Sequence, residues 1–379
     1  MSKNWFYATG ICLAVLGTTV SAQPIKIGLT GTFTGANASN GIPYRNAAEL
    51  FPKEVNGHQV QWIVLDDGGD ASNAMKNVRR FVDVDKVDFI VGSTSTPTAL
   101  ATLDLANNSQ TVQLAMSPIQ IPDNKKDFVF NLPQPAELMT AAVVEDMQAQ
   151  GVKSVSYIGY ADGWGDLIWD AFAPQAQQAG IEIATEERYN RTDTSVTAQV
   201  LKTAAANPDA VFIGGSTMPA ALPQVGLRER DYDGQIYQTH AAVAQAFLDA
   251  GGAAAEGTRL PGGPMTAANE LAADNPIKAV AQDFISQYQA KWGDGPVPIF
   301  AGYAWDAMLI LNTIIPPALE QAQPGSAEFR VALRDVLESG IETVGTNAVY
   351  SFSETDHYGV DERARVMLEV QDGAFQLIK

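Results

Sequence analysis

The chain has 379 residues, 46% of them hydrophobic, and a formal charge of −19; its length suits two domains of about 100–200 residues each. A surface this acidic is repelled by nucleic acid and by anionic lipid, so neither is an expected partner. One cysteine, Cys12, and three histidines, His58, His240 and His357, offer little for thiol or zinc chemistry.

The first residues read as an export address. Lys3 supplies a positive start, "ATGICLAVLGTTV" an apolar stretch, and "VSA" a small-residue cleavage site after Ala22. Cleavage removes Lys3 and no acid, moving the charge from −19 to −20, and takes away Cys12, which no small-residue lipidation motif precedes. Disulfides, thiolate chemistry and a lipid anchor are therefore not expected, and no later apolar run approaches the roughly 20 residues that cross a bilayer. The expected product is periplasmic, without direct membrane insertion.

From Pro24 onward, strand-like runs alternate with helical stretches. "IKIGL" leads through a Gly/Thr-rich loop into a helix from about Tyr44. "VQWIVLDD" precedes a helix over "ASNAMKNVRRFV", and "DFIVG" precedes one over "TALATLDLANN". "VQLAM", "FVFNL", "SVSYIGY", "IEIATEERY", "DAVFIGG" and "QIYQTH" continue the series. Such alternation specifies an α/β fold with parallel, doubly wound sheets. Ligands of these sheets sit beyond the carboxyl ends of the strands. Those ends share a small, polar or aromatic character here: "TGTFTGANASNG", "STST", "SPIQIP", "ADGWG", "STMP" and "THAA". Turn chemistry alone accounts for part of this pattern.

Several chemistries lack their residues. No Gly-x-Ser-x-Gly elbow occurs, since "GGSTM" at 214–218 lacks the last glycine. "GLTGTFTG" has neither the Gly-Lys-Ser/Thr of a phosphate loop nor dinucleotide spacing, and no HExxH is present. "DDGGD" at 66–70 lacks the remaining ligands of a calcium loop and reads as a strand-to-helix turn. No cofactor and no metal are expected. "VGSTSTPT" at 91–98 is the most telling stretch: Ser95 or Thr96 suits a helix cap with Pro97 in the first turn. Capping uses one hydroxyl of four. With no base in reach by sequence, a carboxylate cradle accounts for the rest better than a nucleophile does.

Across 24–379 the chain resembles the periplasmic solute-binding proteins of ABC importers, in the branched-chain amino-acid class. The resemblance rests on "IKIGLTGTFTG", "DDGGDASNAMKNVRRFV", "VDFIVGSTSTPTALA", "YNRTDTSVTAQVLKTAAANPDAVFIGG" and "IFAGYAWDAMLIL". It implies two Rossmann-like lobes joined by three crossovers, placed near Pro133, Gly263 and Tyr350. Lobe one is then 24–133 plus 264–350, and lobe two 134–263 plus 351–379. By the same resemblance Thr96, with Ser95 beside it, supplies a hydroxyl to a ligand carboxylate, and the amides of Ile119 and Ile121 add donors. Asn40 stands where a tyrosine often lies near the ligand, Trp164 closes the site from lobe two, and Phe300 forms an apolar wall. Ser216, in "STMP", joins the candidate set. His240 occupies the place of the acidic residue that pairs an amino acid's ammonium. "IYQTHAAVAQAFLDAGGAAAEGTRLPGGP" resembles the subset associated with aromatic carboxylates.

The resemblance thus implies a monomeric, non-enzymatic binding protein that passes a small carboxylate to a membrane ABC permease. The alternatives are a binder of branched-chain amino acids or amides, a sensory module, and an exported hydrolase using Ser95, Thr96 or Ser216 with His240.

Overall fold

The computed structural model describes residues 23–35 and 38–378; the cleavage site and Cys12 lie outside the described residues. In chain order, β1 (Ile25–Gly31), α1 (Ala38–Ala48), β2 (Glu54–Val55), β3 (His58–Asp66), α2 (Ala71–Arg80), β4 (Phe89–Val91), α3 (Thr96–Leu100), α4 (Leu103–Asn108), β5 (Val112–Ala115) and β6 (Val129–Asn131) build a six-stranded sheet ordered β2-β3-β1-β4-β5-β6. All neighbours are parallel except the short β2–β3 hairpin. β4 and β5 are buried at every residue, as strands covered on both faces must be.

The chain then leaves for a second sheet. α5 (Ala136–Ala149), β7 (Ser154–Tyr160), α6 (Gly163–Gln178), β8 (Glu182–Tyr189), α7 (Thr197–Ala206), β9 (Ala210–Gly214), α8 (Thr217–Arg228), β10 (Gln235–Gln238), α9 (Gln245–Gly251) and β11 (Arg259–Gly262) follow. It returns with α10 (Pro276–Trp292), α11 (Ile299–Leu319), α12 (Ala327–Leu337) and the hairpin β12 (Thr343–Val344) and β13 (Val349–Tyr350). α11 packs along α1, which ties it to the first sheet. Finally β14 (Val366–Gln371) and β15 (Ala374–Leu377) complete a seven-stranded sheet ordered β15-β14-β11-β10-β9-β7-β8. These last two strands run antiparallel, so the second sheet is mixed and not purely parallel as the alternation implied.

Three segments connect the sheets, and they meet. Gln134, buried on the first, accepts from Tyr303 Oη at 2.5 Å and donates to Ala364 O at 2.7 Å and Asn347 O at 3.4 Å. On the second, a Cβ at Gly263 would stand 2.1 Å from Asn347 Oδ1, so a larger residue would have to push the Asn347 carboxamide aside. The third crossing comes later than Tyr350. Asn131 N donates to His357 O at 2.8 Å, the His357 ring stacks on Phe130 at 4.0 Å, and Tyr358 Oη donates to Ile119 O at 3.1 Å. The segment after Tyr350 is thus held against β6 by these contacts.

Candidate functional site

The carboxyl ends of the two sheets face each other across a narrow cavity of about 20 Å³. The lobes touch beside it, Ser39 Oγ donating to Thr217 Oγ1 at 3.2 Å. From the first lobe come Thr94, Ser95 and Thr96 after β4, Met116–Pro118 after β5, Asn40 and Tyr44 on α1, and Phe300 and Tyr303 on α11. The second lobe brings Trp164 on α6, Arg191 after β8, Ser216 after β9, and His240 and Ala241 after β10.

Ser95 is the extended residue before α3, with Pro97 in the first turn. Its side chain makes no cap; Ser95 Oγ lies 2.7 Å from Thr98 Oγ1. Thr96 Oγ1 donates to Pro118 O at 2.9 Å and lies 2.9 Å from Ser117 Oγ. A carbonyl can only accept, so the Thr96 proton is committed within the lobe. The amides expected beside it are elsewhere. Ile119 N donates to Asn131 Oδ1 at 3.0 Å, and Asn131 Nδ2 donates back to Ile119 O at 3.2 Å. Ile121 borders a separate surface pocket with Lys126 and His357. Neither isoleucine lines the cavity, because β6 draws the chain after Pro118 into the lobe. The carboxylate cradle read from "STST" and "SPIQI" is not assembled in this form.

Asn40, Trp164 and His240 do converge, and each holds a buried polar atom without a partner among the described residues: Asn40 Oδ1, Trp164 Nε1 and His240 Nδ1. Asn40 Nδ2 reaches Thr94 O only at 3.5 Å. The His240 ring meets Trp164 edge-on at 5.5 Å, and burial holds its imidazole down to about 4, neutral at physiological pH. Phe300 lies 5.7 Å from Tyr44 and 6.5 Å from Tyr303, forming an aromatic wall on the first lobe. Among the described residues, no hydrogen bond links His240 to Ser95, Thr96 or Ser216, so the pairing that a hydrolase needs is not formed.

Arg191 was not singled out from the sequence. Its Nε donates to Asp162 Oδ2 at 2.5 Å and its Nη1 to Ser216 Oγ at 3.3 Å, while its guanidinium covers the Tyr160 ring at 4.2 Å. Asp162 also caps α6, accepting from Trp164 N at 2.9 Å. Arg191 follows β8, so the strand-end rule that selected Ser95 and Ser216 points to it equally. Arg191 is the one permanently charged residue lining the cavity among those described, and no aspartate or glutamate lines it. Tyr44 and Tyr303 were also missed; they sit in helix interiors, where an aromatic residue reads as core.

A family profile described as periplasmic binding protein matches residues 24–371. Among curated relatives, an "Amino acid binding protein" of Pseudomonas aeruginosa is 27% identical over 242 residues, 59% of this chain and 63% of that protein. "Leu/Ile/Val-binding protein homolog 4" of Brucella abortus is 25% identical over 237 residues, 56% of this chain and 57% of that protein. The chain therefore spans under two thirds of the length of either relative. Among solved structures, an extracellular ligand-binding receptor from Rhodopseudomonas palustris HaA2 is 41% identical with a TM-score of 0.93, covering 94% of this chain and 100% of that one. The leucine binding protein LivK of Thermotoga maritima, 20% identical with a TM-score of 0.82 over 94% of this chain and 98% of that one, shares the fold.

Proposed function

Given that the chain belongs to the periplasmic binding protein family, we propose that it captures a small aromatic carboxylate, such as a hydroxybenzoate, between its lobes and delivers it to an ABC permease. The observation that carries this reading is the cavity lining: four aromatic rings, one guanidinium, a neutral histidine and no carboxylate. A flat ring suits the space between Trp164 and the Tyr44–Phe300–Tyr303 wall. Its carboxylate is assigned to Arg191 and Ser216, where charge-assisted hydrogen bonds are each worth about 1.5–3 kcal/mol. The far end of the ring then faces Asn40, Ser95 and Thr96. An ammonium would find His240 where it needs an acid, and an unpaired buried charge costs several kcal/mol. The protein breaks no bond in this role; the ligand favours closure by its differential affinity for closed over open lobes.

The names of the curated relatives favour a second reading, capture of an amino acid. Paired calorimetric titrations with 4-hydroxybenzoate and leucine separate the two. The aromatic acid is expected to bind at micromolar Kd or tighter, about −8 kcal/mol, and leucine far more weakly. Tight leucine binding with no response to 4-hydroxybenzoate would sink the aromatic reading.

A further inference from the structure

Asp67, at the end of β3, is fully buried and has no ion-pair partner among the described residues. Four donors converge on it. Gly69 N at 2.9 Å and Thr32 Oγ1 at 3.0 Å reach Oδ1, while Ser93 Oγ at 2.5 Å and, more distantly, Thr30 Oγ1 at 3.5 Å reach Oδ2. Burial raises this carboxyl above its ordinary range, while the hydrogen bonds from Ser93, Gly69 and Thr32 favour the ionised form; the relay that follows is the one set by the anion.

The proton directions beyond Asp67 follow from counting. A carboxylate only accepts, so Ser93 spends its one proton on Asp67. Ser93 Oγ also stands 2.7 Å from Thr98 Oγ1, and that bond must take its proton from Thr98. Thr98 Oγ1 stands 2.7 Å from Ser95 Oγ, and with the Thr98 proton spent, Ser95 must donate there. Thr98 Oγ1 also lies 2.9 Å from Ser95 O, but its single proton is taken by the shorter contact with Ser93. Ser95 lines the cavity, so it turns lone pairs and no proton toward whatever is bound.

We propose that Asp67 is a positioning residue for ligand recognition: through Ser93 and Thr98 it fixes Ser95 as a hydrogen-bond acceptor, so the ligand group seated against Ser95 is a proton donor, a ring hydroxyl or amine. This deepens, and rests on, the reading of an aromatic acid whose carboxylate lies at Arg191. It also explains why a hydroxyl-rich stretch that reads as an anion cradle is unsuited to one: the protons point inward, toward a buried negative charge.

Asp67→Asn reverses the relay by a definite route. The Gly69 N–H requires an oxygen opposite it, so the new amide NH₂ faces Ser93 and donates to it. Ser93 then donates to Thr98 and Thr98 to Ser95 Oγ, which frees the Ser95 proton for the cavity. The test compares 4-aminobenzoate, a donor at the far end of the ring, with 4-formylbenzoate, an acceptor, by calorimetry at neutral pH. Wild type is expected to favour the amine about tenfold, as one hydrogen bond of opposite sense dictates. Asp67→Asn should bring the ratio to one or below, and Thr98→Val, which cuts the relay without touching the charge, should shrink it. A ratio unmoved by both variants overturns the proposal, whereas a merely structural loss weakens both probes alike. Neutron crystallography of the ligand-free wild type and Asp67→Asn decides the point independently. The Ser95 deuteron is expected toward Thr98 in the first and toward the cavity in the second; a cavity-facing deuteron in wild type overturns the relay. Should neither probe bind wild type, the aromatic reading fails on its own while the neutron maps still settle the relay.

Discussion

His240 and Asp306 are both fully buried titratable groups, and burial acts on them in opposite directions. It holds the His240 imidazole down to about 4 from 6.5. It pushes the Asp306 carboxyl up to about 6 from 3.8, against hydrogen bonds from Thr346 N at 2.5 Å, Asn347 N at 3.0 Å and Tyr350 Oη at 2.9 Å. For His240 the unfolded chain binds more protons through the window from about 4 to 6.5, so its contribution makes stability rise with pH. For Asp306 the folded chain holds the proton between 3.8 and about 6, so its contribution makes stability fall with pH. At about 1.36 kcal/mol per pKa unit each effect is on the order of 3 kcal/mol, and the two nearly cancel. His240→Gln is expected to uncover the Asp306 slope. In urea unfolding between pH 4 and 6, the variant-minus-wild-type difference should tilt downward by roughly 3 kcal/mol. Parallel profiles would show that His240 is not held neutral by its surroundings.

α6 illustrates how one element sets several site residues at once. Asp162 caps it, its first turn carries Trp164, and a Cβ at Gly165 would fall 1.8 Å from Tyr160 O. Helix and strand β7 thus approach closely only because position 165 is glycine. Gly165→Ala is expected to cost about 1–3 kcal/mol in chemical denaturation, the usual range for overpacking. It should weaken ligand binding further by displacing Trp164; unchanged binding would detach Trp164 from recognition. Most strands were legible because buried parallel strands read as short apolar runs. The antiparallel β14–β15 hairpin was missed although Asp372–Gly373, both at positive φ, carries the dipeptide such turns require. "TALATLDLANN" reads as one helix but divides into α3 and α4, where Thr102 Oγ1 turns back to Ala99 O at 2.8 Å. At the site, Ser95, Thr96, Trp164, Ser216 and His240 were legible because strand ends mark clefts. The course after Pro118 was not, since it depends on Asn131, a partner that only the fold supplies.

At the scale of the molecule, Gln134 ties the first connection between the sheets to both the cavity and the third. Tyr303 lines the cavity and Ala364 leads into the second sheet, and the Gln134 carboxamide bonds both. Gln134→Leu leaves both groups buried and unpaired, so the closed arrangement loses support. The ligand-free variant is expected to show a larger radius of gyration by small-angle scattering, and faster ligand dissociation without altered selectivity. An unchanged scattering profile would assign Gln134 to packing alone. Against the expectation that no later apolar run approaches membrane-spanning length, α11 is 21 residues long and contains a stretch of mean hydropathy 1.3, long and apolar enough to cross a membrane by length and composition, yet 78% of that stretch lies buried in the fold. Asp306 is its one charged residue. In the unfolded chain nothing yet hides such a stretch. An aspartate at mid-helix adds about 2.5–3.5 kcal/mol against lateral escape into the bilayer. The carboxylate that anchors the β12–β13 turn in the finished protein thus also weighs against a bilayer position for this stretch in the unfolded chain.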